Sequence, residues 1–140
     1  FNSFNLVQSF FDYISSSTIR ELRVISSSKY DLKKLVRLCE EINFNWKRKN
    51  YYSVAALIRA VLDHIPPIFD QPNFDSVVSQ SKKTFKEIVS RLNELRDPAN
   101  IHLHSQCSSS VSLAVEQDVD KRSDISMLLS KTIEQLKKDL

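Results

Sequence analysis

The chain of 140 residues contains no glycine, and this absence removes whole classes of fold and function. Glycine takes a positive φ at little cost, so the type I′ and II′ turns that close tight β-hairpins depend on it heavily. Walker A loops and dinucleotide-binding turns need it too, because the backbone must approach phosphate without a Cβ in the way. Nucleotide binding in either manner is excluded, and a sheet-rich fold is disfavoured. What remains is a helical chain whose helices must be stopped by other residues.

The apolar spacing supplies those helices. Phe4, Val7, Phe10, Phe11 and Ile14 recur with a period near 3.6 and predict a first helix, ended by Ser15-Ser16-Ser17-Thr18. The segment from Ile19 to Ile25 is too short to assign. Asp31 is expected to cap a second helix with Leu32, Leu35, Val36, Cys39, Ile42 and Trp46 on one stripe, and Asn50 to stop it in a left-handed conformation. A third helix, Tyr51 to Ile65, is apolar nearly all round and belongs at the centre, with Pro66-Pro67 ending it. On it Arg59 and Asp63 stand four apart and are expected to pair.

Residues 68–80 read as a connector with one short helix around 74–78, and Phe85, Ile88, Val89, Leu92 and Leu95 mark a fourth long helix. That helix ends near Arg96, because Pro98 disfavours helix at Asp97. Residues 105–121 are serine-rich, then acidic, and read as a surface loop. Asp124 is expected to cap the last helix, striped by Ile125, Leu128, Leu129, Ile133 and Leu136. No internal repeat is present. The expectation is an all-α antiparallel helical bundle of four to five main helices. Residues 1–28 would be an N-terminal helix and leader, and 29–140 the helical domain.

At 16.2 kDa the chain is long enough for one independent core. No apolar run approaches the roughly 18 residues that a membrane helix needs, so no partner bilayer is expected. The chain opens on Phe1 without an initiator Met or a basic n-region, which suggests a piece of something longer and gives no sign of a signal peptide. Cys39 lies on an apolar stripe and Cys107 in the serine-rich loop; two such thiols form no disulfide framework, so a reducing cytoplasm is expected. Around Lys47, Arg48 and Lys49, residues 31–49 hold a cationic excess as large as the net charge of +3 of the whole chain. Such a run is usually a solvated face, and its other reading is contact with RNA.

The densest chemistry is the run Leu95-Arg96-Asp97-Pro98-Ala99-Asn100-Ile101-His102-Leu103-His104. Aspartate at N-cap followed by proline at N1 commonly starts a helix, which would place Arg96 just before it and His102 in its second turn. A positive helix end beside His102 would attract an anion and favour the neutral imidazole. His104 and Asn100, four apart, offer a second candidate pair, and Arg59 with Asp63 a supporting one. The bland reading is a polar joint between two helices.

Arg96, Asp97 and His102, with five residues between the arginine and the histidine, resemble the signature of the HEPN superfamily, small all-α bundles of bacterial defence and toxin proteins. The run Asn50 to Asp63 looks like the central helix of such domains, and the resemblance spans roughly residues 31–140. If catalytic, the resemblance implies a metal-independent endoribonuclease without cofactor, working as a homodimer. His102 would move a proton at the ribose 2′-hydroxyl or the leaving oxygen, Arg96 would stabilise phosphate charge, and Asp97 would orient one of them. The alternative is a non-catalytic HEPN-like module that dimerises or couples a larger protein to another domain or chain. A zinc site from His64, His102, His104 and Cys107 lacks any ligand-spacing signature, and a Cys107–His nucleophile pair lacks an oxyanion motif. The Phe-rich leader is read as core, or as a docking surface if it projects.

Overall fold

Ser15 begins a helix instead of ending one. In the computed structural model, which describes residues 12–27, 29–97 and 100–138, its side chain accepts the N–H of Thr18 at 3.2 Å and caps α1, Ser16–Val24. The serine run that looked like a stop is therefore an N-cap, and the unassigned segment behind it is helical. The predicted helix from Phe4 falls mostly outside the described residues, and Asp12, Tyr13 and Ile14, which are described, are not helical.

The remaining elements are α2 (Lys33–Lys47), α3 (Tyr51–His64), a 3₁₀ turn (Pro66–Phe69), α4 (Phe74–Gln80), α5 (Lys83–Glu94), α6 (Glu116–Val119) and α7 (Arg122–Lys137). Among the described residues there is no strand. The protein is an all-helical bundle, as a glycine-free chain with this periodicity requires. No helix is long and apolar enough to cross a membrane among the described residues.

Several boundaries differ from the sequence expectation for identifiable reasons. Asp31 accepts the N–H of Lys33 at 2.9 Å from one position further out than a cap, while Leu32 holds the N-cap place and is buried. The left-handed stop after α2 is Lys49, at φ 59°, and not Asn50, whose φ is −86°. Asp124 lies inside the first turn of α7, with Lys121 at the N-cap place, and its carboxylate takes both Nε and Nη2 of Arg91 at 3.0 and 2.8 Å. That cross-helix pair ties α5 to α7. The third helix is not enclosed all round: Val54, Ala55, Ile58, Val61 and Leu62 are buried, but Tyr52 and Ala56 face solvent.

One apolar core runs through these elements. α2 packs along α3, α5 along α7, and α1 lies against both α2 and α7. Tyr13, Ile14, Ile19 and Leu22 belong to the same buried cluster as Leu35, Ile58 and Leu129. Residues 12–14, just before α1, are tied to the rest of the bundle. Asn43 on α2 brackets Ile14, accepting its N–H and donating to its carbonyl, both at 2.8 Å. The Tyr13 hydroxyl donates to the Val119 carbonyl at 2.7 Å and accepts the Lys121 N–H at 3.0 Å. Its ring meets Trp46 edge-on at 5.1 Å, and Asp12 pairs with Lys47 at 3.1 Å. Burial holds this phenol in its neutral, donating form.

Candidate functional site

Arg96 follows the last turn of α5, and its guanidinium is turned inward along the bundle. Nη2 lies 3.2 Å from the Asp63 carboxylate on α3, and Nη1 lies 3.5 Å from the Asp75 carboxylate on α4. Nη1 also donates to Asn93 Oδ1 at 3.3 Å, while Asn93 donates to Asp75 at 3.0 Å. Arg96 therefore fastens three helices together. Asp63 takes Arg96 as its partner and not the Arg59 that helical spacing offered, because the tertiary fold brings a second guanidinium to the same carboxylate. Arg96 Nε is buried and has no hydrogen-bond partner among the described residues.

Pro98 and Ala99, where a helix was expected to start, lie outside the described residues. On either side of them Asp97 and Asn100 bond back toward the end of α5, Asn100 is 3₁₀-helical and residues 101–104 form a turn. The N–H of Asp97 bonds the Glu94 carbonyl at 3.1 Å, and the Asn100 side chain donates to that same carbonyl at 2.7 Å. Asn100 is thus a C-terminal cap, satisfying a carbonyl that the end of α5 leaves open. Ile101 is fully buried and anchors the turn, with Leu103 packed against the core beyond it. Reversing the chain between these two apolar anchors puts His102 in the left-handed region, at φ 54°. Histidine tolerates that region better than most residues, and it cannot lie within a continuing α-helix. His102 therefore does not lie in the second turn of an α-helix, where it was expected.

His102 is exposed, as is His104. The His102 carbonyl accepts the Ser105 N–H at 3.4 Å and the Ser105 hydroxyl at 3.1 Å. His64, at the end of α3, is held below its ordinary value of 6.5 by partial burial and by the charge of Lys34. Among the described residues, no three His, Cys, Asp or Glu side chains gather closely enough to hold a metal ion, so His64, His102, His104 and Cys107 form no such group. Cys107 is exposed, whereas Cys39 is buried with its thiol pushed up to about 12.

The basic run at the end of α2 is partly neutralised. Lys47 is engaged by Asp12, Arg48 lies 3.7 Å over the Phe44 ring, and Lys49 stands exposed at its left-handed stop. Arg59 is half-buried on α3.

Sequence reasoning passed over one feature. Val111, Leu113 and Val115 are 54, 72 and 51% exposed, while Ala114 between them is buried. The chain runs without a bend across these residues. Strict alternation of serine and apolar residues was the available signal, but it was masked by the surrounding serines. No family model matches the chain, and neither curated proteins nor solved structures yield a match.

Proposed function

We propose that the chain is a non-catalytic HEPN-like helical module that binds another protein chain, not an RNA-cutting effector. The observation that carries this reading is the pairing of Arg96 with both Asp63 and Asp75. A phosphate approaching Arg96 would meet two carboxylates that already offset the cation. Two like charges about 4 Å apart repel by about 1 kcal/mol in bulk water and about 4 kcal/mol at the effective dielectric of a protein surface. Asp63 and Asp75 together carry more negative charge than the one guanidinium between them can offset. The general acid–base partner is no better served, since His102 sits exposed on a turn and outside any α-helix. Exposed Val111, Leu113 and Val115 supply the apolar contact area a protein partner needs. A homodimer or a second domain of a cytoplasmic bacterial defence protein belongs to the same reading and rests on the HEPN resemblance.

The test is incubation of the purified chain with total RNA in EDTA, beside Arg96→Ala and His102→Ala. The expected result is intact RNA in all three. Cleavage by the parent that both substitutions abolish would overturn the reading and restore the nuclease, along with contact between RNA and Lys47, Arg48 and Lys49.

A further inference from the structure

From Ser105 to Val115 the chain has eleven residues without a formal charge, a proline or a glycine. The end of this segment lies against α3, where the Ala114 N–H bonds the Tyr52 hydroxyl at 3.0 Å. In an extended chain, the backbone polar groups of successive residues point to opposite edges. The N–H of Ala114 faces the protein, and an extended course through 111–115 turns the groups of Leu113 and Val111 to the other edge. Val115 is folded back: its N–H donates to Asp118 and its carbonyl accepts the Asp118 N–H, at 2.8 and 3.0 Å. The N–H and C=O groups of Val111 and Leu113 bond no described residue. An exposed edge with β-branched and apolar side chains and no gatekeeping charge is a template for strand addition.

We infer that residues 110–114 pair antiparallel with the same segment of a second copy of this chain, about a two-fold axis at Ser112. The inference deepens the reading of the domain as an interaction module and rests on it for the expectation of a protein partner. What selects a second copy is the pattern itself. Ser110-Val111-Ser112-Leu113-Ala114 alternates small and large apolar residues and reads the same way from either end. In that register Val111 of one copy lies opposite Leu113 of the other, twice, and their free backbone groups exchange four hydrogen bonds. Small residues face small residues between them. No charge on the segment opposes its own image, so both copies offer the same surface, as a two-fold interface requires.

The register makes the test specific. Sedimentation of the 140-residue chain should show a dimer that grows with concentration. Val111→Lys with Leu113→Lys sets cations opposite cations and should weaken the dimer at least about tenfold, with helical circular dichroism unchanged. Val111→Lys with Leu113→Glu sets opposite charges across the axis and should keep most of the dimer. In a Cys107→Ser background, Ser112→Cys should cross-link under mild oxidation, because non-hydrogen-bonded partners lie about 4.5 Å apart, inside the disulfide range. A parent that stays monomeric, a dimer indifferent to the two lysines, or a Ser112→Cys variant that does not cross-link would each overturn the pairing. RNA cleavage by the parent would instead remove the non-catalytic reading and leave this pairing standing. A monomer alone would not make the domain a nuclease.

Discussion

The side chain of Arg96 is 29% exposed, while its partners Asp63 and Asp75 are 56 and 73% exposed. Both acids therefore keep most of their hydration, and the ion pairs belong with screened surface pairs in strength, not with buried ones. The Nε of Arg96 is buried and unpartnered among the described residues. Arg96→Met keeps the stem, removes the orphaned donor and returns both carboxylates to water. Urea denaturation should show a loss of about 1 kcal/mol or less for this variant. A loss above about 3 kcal/mol would mean that the guanidinium is a buried charge centre after all. At this scale the sequence revealed which residues crowd together near Arg96 but not which of them touch. The i,i+4 rule offered Arg59 to Asp63, yet the carboxylates that take Arg96 come from two other helices, and local spacing carries no information on such pairs.

Helix stripes survive translation into structure better than helix ends. The apolar faces of α2, α5 and α7 were legible because fifteen, twelve and sixteen residues sample several turns of a 3.6-residue period. With nine residues, α1 offers only Ile19 and Leu22 as its buried positions, too few to set a period. Its boundary was misread because serine serves both as a helix stop and as an N-cap, and only the direction of its hydrogen bond distinguishes the two. Asp97-Pro98 misled in the opposite sense, because His102 does not lie in a second helical turn behind it. Its start signal is real in isolation, but the turn through Asn100 and Ile101 satisfies a carbonyl of α5 and buries an apolar side chain together. The capping argument for α1 can be measured. Ser15→Ala removes the acceptor for the Thr18 N–H and should cost about 1 kcal/mol in chemical denaturation, whereas Ser16→Ala, one residue along, should cost only a few tenths. Equal effects at the two positions would show that the cap is not what holds this end.

Across the whole molecule, the decisive question is whether residues 12–24 belong to the bundle or hang from it. The leader assigned to 1–28 has its described part built into the core: Tyr13, Ile14, Ile19 and Leu22 are buried, and α1 lies between α2 and α7. The polar contacts point the same way, because Tyr13 satisfies Val119 and Lys121 from the far end of the chain and Asn43 satisfies Ile14. Loss of that segment would leave buried backbone groups of α6 and its junction with α7 without partners, at about 1–3 kcal/mol each. Unfolding should therefore be a single cooperative event. The chain's one tryptophan is the probe to use, since Trp46 touches Tyr13 on one side and Tyr51 on the other. Leu22→Ala, at a fully enclosed site, should lower stability by about 2–5 kcal/mol. Far-ultraviolet circular dichroism and Trp46 fluorescence should then shift to lower denaturant together, keeping one midpoint. If residues 12–24 melted first, both signals would show an early step, as α1 leaves the dichroism and Tyr13 leaves Trp46, before the main transition, and the bundle would have to be redrawn as beginning at Lys33.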